Sequence, residues 1–300
     1  MKNTKVFCII VTYNAEPWIE KCLSTLVEDH LDLKIIVVDN ASKDNTLAII
    51  RSQFPEVEVV ESKENLGFGK ANNLGYKMAV ERDADYVYLL NQDTISYPNN
   101  IGKLLNIWQK TTEPIAILSP MHLNEKGDKL DSKFEQYLAP KQCPDIVSDL
   151  SLSKVKDYYI VDFVNAAAWL VDVKAVKNIG GLFSKVFYHY GEDRNFIQRL
   201  QYFGYKVAVA PSVFIHHCRD ERAGKFSKKF EQKRLEIRAR VLMHDINNSY
   251  KQCLIEVWKE AFMEYLKLNI VSGFRLIFYP AINGFSIIKI REDLKRKIVD

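Results

Sequence analysis

The strongest constraint on this chain is an alternation. Short apolar, β-branched runs recur through its first 120 residues, each followed by residues at helical spacing. Val6–Thr12, Lys34–Asp39, Val57–Val60, Tyr86–Leu90 and Ile115–Ser119 read as buried strands, because a strand covered on both faces is apolar throughout. Between them, Ile19, Cys22, Leu23 and Leu26 mark a first helix, with Asn14 as its expected N-cap and Pro17 in its first turn. Leu47–Phe54, the Ala71, Leu74, Met78 series and the Ile101, Leu104, Leu105, Trp108 series predict three more. Strands alternating with helices imply an α/β domain with a mostly parallel sheet covered on both faces. Such sheets bind ligands at the carboxyl ends of their strands. Three of these ends are polar: Thr12-Tyr13-Asn14, Asp39-Asn40 and Asn91-Gln92-Asp93. Their convergence predicts one site.

The later chain is less regular. Residues 120–157, with Pro120, Pro140 and Pro144, read as an insertion near that site. Tyr158–Val173 returns to strand character. Glu192-Asp193 then opens a helix carrying Phe196, Ile197, Leu200 and Phe203. Val207–Ala210 and Val213–Ile215 read as two short strands, the second running into His216-His217. From about Lys225 the pattern is helical and amphipathic. The domain expectation is therefore a catalytic unit over 1–222 and a helical C-terminal appendage over 223–300.

Charge separates these parts. Residues 219–300 hold 18 Lys and Arg against 11 Asp and Glu, whereas residues 1–218 hold 24 against 27. An overall charge of +4 argues against nucleic acid as partner, but the basic tail suits either an anionic membrane surface or a solvated helical face. Five cysteines without a CxxC pair fit free thiols in a reducing compartment. No signal-peptide pattern opens the chain. The longest apolar stretch, Leu276–Ile290, is expected to be too short to span a bilayer and to be broken at Pro280 and Gly284.

The polar residues have specific chemical uses. A carboxylate at a strand end, as in Asn91-x-Asp93, can hold a divalent cation shared with substrate phosphates, although Asn and Asp also cap strand ends as ordinary turn formers. Asp39 can accept hydrogen bonds from a ribose or base edge. The Asn65-Leu66-Gly67-Phe68-Gly69 turn, ahead of Asn72 and Asn73, lets backbone approach a phosphate or sugar. It is neither a P-loop nor a GxGxxG fingerprint. Asp193 could serve as a general base, or with Glu192 could simply favour the helix dipole. His216 or His217 could complete a metal site, and Arg219, Arg222 and Lys225 could meet a diphosphate.

In this order, Val11-Thr12-Tyr13-Asn14, Val38-Asp39-Asn40-Ala41-Ser42, Asn65-x-Gly67-Phe68 with Asn72-Asn73, Asn91-x-Asp93 and Gly191-Glu192-Asp193 resemble the family 2 glycosyltransferases of GT-A fold, within the bacterial rhamnosyltransferase-like group. The resemblance covers residues 5 to 220. It implies a nucleoside-diphosphate-sugar donor held by Thr12, Tyr13, Asn14, Asp39, Asn65, Gly67, Asn72, Asn91, Gln92, Arg219 and Arg222. It implies Mg²⁺ or Mn²⁺ on Asp93 with His216 or His217, and Asn91 stands where the family has the first Asp of its Asp-x-Asp. Asp193 would be the catalytic base and Glu192 its neighbour at the acceptor. The expected activity is inverting transfer of rhamnose or another hexose to a saccharide or lipid-linked acceptor in cell-surface polysaccharide synthesis. The expected setting is cytoplasmic, peripheral at the inner face of the plasma membrane. Two other classes compete. A nucleotidyltransferase would need a Gly-rich, basic N-terminal loop, which Val11–Ala15 lacks, and a non-catalytic sugar-nucleotide binding protein would have Asp93 and Asp193 pointing apart.

Overall fold

A computed structural model describes residues 4–27, 33–219 and 228–296, with side chains from 232 onward in the last segment. Among these residues nine strands form one sheet. Strands β1 (Val6–Thr12), β2 (Lys34–Asp39), β3 (Glu58–Glu61) and β4 (Tyr86–Asn91) make its parallel half in the order β3-β2-β1-β4. The other half is mixed. There, β8 (Ala168–Asp172) lies antiparallel between β4 and β6 (Ile115–Leu123), and β9 (Lys206–His217) runs parallel to β6. Two three-residue strands, β5 (Thr94–Ser96) and β7 (Tyr159–Val161), pair antiparallel with β9.

The helices cover both faces, as the apolar runs require. On one side lie α1 (Ile19–Val27), α2 (Thr46–Gln53) and α4 (Asn100–Lys110), burying Ile19, Leu23, Ile50, Ile101 and Leu104 against Cys8, Ile10, Val37 and Leu90. On the other lie α3 (Gly67–Glu81), α7 (Val173–Asn178) and α8 (Glu192–Tyr202), around Trp169, Phe183 and Phe196. Helix α3 approaches the sheet so closely that a Cβ on Gly75 would lie 2.6 Å from the Ile9 side chain.

Several expectations change. Asn14 does not cap α1. Its backbone sits at φ 49°, Ala15 starts the turn by accepting from Trp18 and Ile19, and the Asn14 side chain accepts from Lys43 N–H instead at 2.8 Å. The two strands expected around Pro211 are one strand, because β9 bulges there: Pro120 pairs with Ala210 and Met121 with Phe214. The insertion holds the end of β6, then α5 (Ser132–Tyr137) and α6 (Ile146–Ser151).

The C-terminal region is three helices: α9 (Lys228–Met243), α10 (Tyr250–Leu266) and α11 (Ile270–Arg296). Ser249 and Gln252 form a reciprocal capping box that starts α10. Helix α11 is not broken at Pro280 or Gly284. It runs through both, with Pro280 on its buried face, and is long and apolar enough by composition to cross a membrane. The helices share their own cluster of Ala239, Met243, Cys253, Val257, Leu276 and Ile287. Arg291, 4% exposed, locks this cluster by donating to the carbonyls of Met243, Asp245 and Asn248. Helix α9 docks on the loop leading into α8, where a Cβ on Gly191 would meet Val241 at 2.8 Å.

Candidate active site

The sheet's register builds the site. In parallel pairing Thr12 stands opposite Asp39, and Val11 opposite Asn91, so the carboxyl ends of β2, β1 and β4 finish on one edge. The strand order turns at β1, the place where an open α/β sheet splays a crevice. Asp39 is buried and held: Thr12 Oγ1 donates to it at 2.8 Å, and Ser42 donates through both its N–H (2.9 Å) and its hydroxyl (2.5 Å). A carboxylate fixed from three sides has one preset orientation for a ligand hydroxyl or N–H. Tyr13 follows at the surface with its ring half exposed.

Other expected donor residues spend their side chains on the frame. Gln92 ties β4 to β1 by accepting from Tyr13 N–H at 2.7 Å and donating to Tyr13 C=O at 3.3 Å. Asn72 is buried and donates back to Phe68 C=O within α3. The Asn65 side chain accepts from Gly67 N–H at 2.9 Å, and its carbonyl accepts from Tyr188 O–H at 2.9 Å. Gly67, at φ 77°, leaves no room for a side chain: its Cβ would lie 2.1 Å from Tyr188 C=O. This turn therefore seats the Tyr188 loop against the start of α3.

Asp93 follows β4 and is 3% exposed. The β5–β9 pairing places His217 opposite Thr94, with His217 Nε2 3.8 Å from Asp93 Oδ1. His216 faces elsewhere: Tyr97 Oη lies 2.6 Å from its Nε2 and Glu125 C=O 2.9 Å from its Nδ1. Only His217 is thus brought to Asp93. Asn91 adds a buried side-chain oxygen, Oδ1, without a hydrogen-bond partner among the described residues. No cluster of three His, Cys, Asp or Glu forms a metal site among those residues. A carboxylate and an imidazole at this spacing would offer two ligands to a divalent cation whose remaining positions substrate phosphates and water would fill.

Arg219 is engaged within the chain. Its guanidinium pairs with Asp131, the buried N-cap of α5, and so ties the end of β9 to the insertion. Arg222 and Lys225 lie outside the described residues.

Glu192 and Asp193 begin α8 after Gly191, which sits at φ 90°. Burial raises the Asp193 carboxyl above its ordinary range, against the hydrogen bond from Arg194 N–H and the charge of that guanidinium. Burial, then the Asp193 charge, raises Glu192 to about 7. Glu192 Oε2 has no hydrogen-bond partner among the described residues. Tyr137 of α5 is pushed up to about 12 by burial and then by Asp193, which puts the insertion beside this acid pair. A half-buried carboxylate of raised basicity suits proton abstraction.

His122 is a buried member of the site that the sequence reading missed. It is fully buried at the end of β6, its Nε2 3.2 Å from Ser119 Oγ and its ring edge-on to His217 at 5.9 Å. Burial, with the charges of His217 and Arg219, pushes it well below the ordinary histidine range. The signal was Met121-His122-Leu123, which continues the strand past Pro120.

Residues 7–152, just under half of the chain, match the family model Glycosyl transferase family 2. A curated relative, the UDP-N-acetylglucosamine--dolichyl-phosphate N-acetylglucosaminyltransferase of Methanococcus voltae, is 29% identical over 54% of this chain and 67% of its own length. The SPbeta prophage-derived glycosyltransferase SunS of Bacillus subtilis (strain 168) is 31% identical over 34% of this chain. The chain spans only 23–24% of the length of SunS and of an uncharacterized glycosyltransferase of Rickettsia felis. Among solved structures, the mannosyltransferase PcManGT from Pyrobaculum calidifontis, in complex with GDP-Man and Mn²⁺, superposes at TM-score 0.60 with 16% identity, over 100% of this chain and 87% of its own. TarS 1-349 of S. aureus, in complex with UDP-GlcNAc, superposes at 0.55 with 16% identity, over 84% and 70%. The fold is GT-A, and residues 7–152 are similar to the family 2 glycosyltransferase domain.

Proposed function

We propose that this chain, built on that domain, moves a hexose from a nucleoside-diphosphate sugar to an acceptor hydroxyl with inversion at the anomeric carbon. One observation carries the reading. Parallel register sets Thr12-Asp39 and the Asn91 end of β4, which leads into Gln92-Asp93, at adjacent strand ends, so one carboxylate can take a nucleoside and the other, through a divalent cation, a diphosphate. Asp39, held by Thr12 and Ser42, accepts from the base or ribose, and Tyr13 offers a ring face beside it. Asp93 and His217 would hold a divalent cation, which neutralises charge on the leaving diphosphate. Asp193 takes the acceptor proton as its oxygen attacks the anomeric carbon, and the bond to the diphosphate breaks on the opposite face. Glu192 stands beside it to orient the acceptor.

Relatives and neighbours named for UDP-GlcNAc and GDP-mannose widen the donor field beyond rhamnose. The Methanococcus relative, named for a dolichyl-phosphate acceptor, supports a lipid-linked acceptor here. The test is a donor screen with dTDP-rhamnose, UDP-GlcNAc, UDP-glucose and GDP-mannose, with Mn²⁺ or Mg²⁺ and with chelator. One donor should release its nucleoside diphosphate in a cation-dependent way that Asp39→Ala abolishes. Absence of binding to every sugar nucleotide would sink the reading. Binding without turnover under any acceptor would favour the non-catalytic alternative.

A further inference from the structure

We propose that the outward face of α10 and α11 is a docking surface for an anionic phospholipid bilayer, on which the helices lie without crossing it. Folded helices normally turn a polar face to water. Helix α11 turns an apolar one: Val271, Phe274, Phe278, Ile282 and Phe285 follow each other at intervals of three or four residues, all more than half exposed. The stripe runs for about 21 Å at 1.5 Å per residue. On α10, Ile255, Trp258, Phe262 and Leu266 continue the same exposed pattern. The opposite face of α11, with Leu276, Pro280 and Ile287, is buried against the neighbouring helices, so these exposed residues are not the core of the fold. An exposed apolar face of this extent marks a surface made for another phase or partner.

Three features choose the bilayer. First, the side chains protrude: Phe285 is 85% and Ile282 79% exposed. Protruding chains enter a fluid acyl layer without needing matched pockets. Second, charge is complementary. Lys251 and Lys259 sit within the outward arc of α10, while Arg275, Lys289 and Arg296 flank or end the α11 stripe. The exposed acids of this face, Glu256, Glu292 and Asp293, are fewer than these five cations; Glu256 and Glu292 lie beside Lys259 and Arg296, and Arg275 pairs with Glu236 of α9, which leaves Lys251 and Lys289 as its unpaired cations among the described residues. A second copy docked face to face would bring a like net charge against it, whereas anionic headgroups would complement it. Third, the fold keeps α11 on the surface. Arg291 is bound to three carbonyls of the α9–α10 turn, and Arg275 pairs with Glu236 of α9 at 3.1 Å. Immersing α11 on all sides would break those contacts, while lying in the interface leaves them intact.

The test uses the full chain and co-sedimentation with phosphatidylcholine vesicles, with and without phosphatidylglycerol. It reads membrane binding independently of sugar transfer. The wild-type protein should sediment with anionic vesicles, release as salt rises, and bind neutral vesicles about tenfold less. Phe278→Asp with Phe285→Asp should abolish binding while circular dichroism stays unchanged, since both positions are exposed. Lys259→Glu with Lys289→Glu should weaken binding to anionic vesicles only. Wild-type protein left in the supernatant, or an aspartate variant that binds equally, would overturn the proposal. So would a wild-type dimer in light scattering that the aspartates convert to a monomer, because the occupant would then be a second copy. Equal binding to neutral vesicles would overturn the anionic assignment.

Discussion

The sheet region and the C-terminal helices are both rich in large apolar residues, yet they dispose of them oppositely. In the sheet region the apolar runs are interior, and the helices covering them show polar backs. Phe196 of α8 is fully buried between Trp169 and Phe183. In the C-terminal helices a small shared cluster is enough to hold them together, and most of the large apolar side chains of α11 face outward. The same side chain thus has two meanings. In the first region it supplies folding energy. In the second it stays at the surface. Hydrophobicity alone does not distinguish them, whereas topology does: a strand has neighbours on both faces, and an outermost helix has them on one.

The largest expected effect would break the comparison at its catalytic side. Asp193→Asn should lower kcat by about 10²–10⁴-fold with donor affinity nearly unchanged, since a general base contributes on that scale. Steady-state kinetics with an identified donor checks this, and retained turnover would move the role to another acid. Next, Phe196→Ala should cost about 3–5 kcal/mol in urea unfolding, the usual loss for deleting a buried ring.

The third effect depends on pH. Glu192 has a folded pKa of about 7 against 4.5 for the ordinary carboxyl. Below pH 4.5 both states are protonated and the group costs nothing. Between 4.5 and 7 the unfolded chain releases a proton that the folded chain keeps, so stability falls as pH rises, and the loss is complete above 7. Its size is about 3 kcal/mol. Glu192→Gln should therefore match the wild type at pH 4.5 and exceed it by up to about 3 kcal/mol at pH 8. Equal stabilities at both pH values would show that Glu192 ionises freely in the folded protein.

Much of this was legible in the chain itself. The parallel half of the sheet follows from short apolar runs such as Lys34–Asp39 alternating with helical segments, because strands joined by helices run parallel and are covered on both faces. Asp39, Asp93 and Asp193 were legible as acids at element ends. What failed was non-local. Strand β5 has three residues, too few for a period, and exists because β9 passes beside it. Asn14 looked like a cap because its partner, Lys43 N–H, is 29 residues away. The Arg219 pair with Asp131 was not legible because its partners lie 88 residues apart. His216 and His217 are adjacent in sequence and alternate across the strand, so only the pairing with β5 decides which meets Asp93. Pro280 looked like a helix break, but a proline on the buried face of a long helix is carried by packing around it.

The smallest expected effect sharpens the comparison most. Phe285→Gln removes the same ring as Phe196→Ala, but from a position 85% exposed. Little burial is lost, and Gln is a somewhat better helix former than Phe. Urea unfolding in the absence of lipid should therefore shift by less than about 0.5 kcal/mol, in either direction. The measurement belongs at two protein concentrations, because stability drawn from self-association changes with concentration and stability drawn from a monomer does not. A loss above about 2 kcal/mol at both concentrations would mean that the ring is packed within the monomer, and the two regions would then use their apolar residues alike. A loss that grows with concentration would mean that another copy buries it. No loss at either leaves the ring exposed to water in the free protein, as a surface whose apolar contacts form only when a partner phase is supplied.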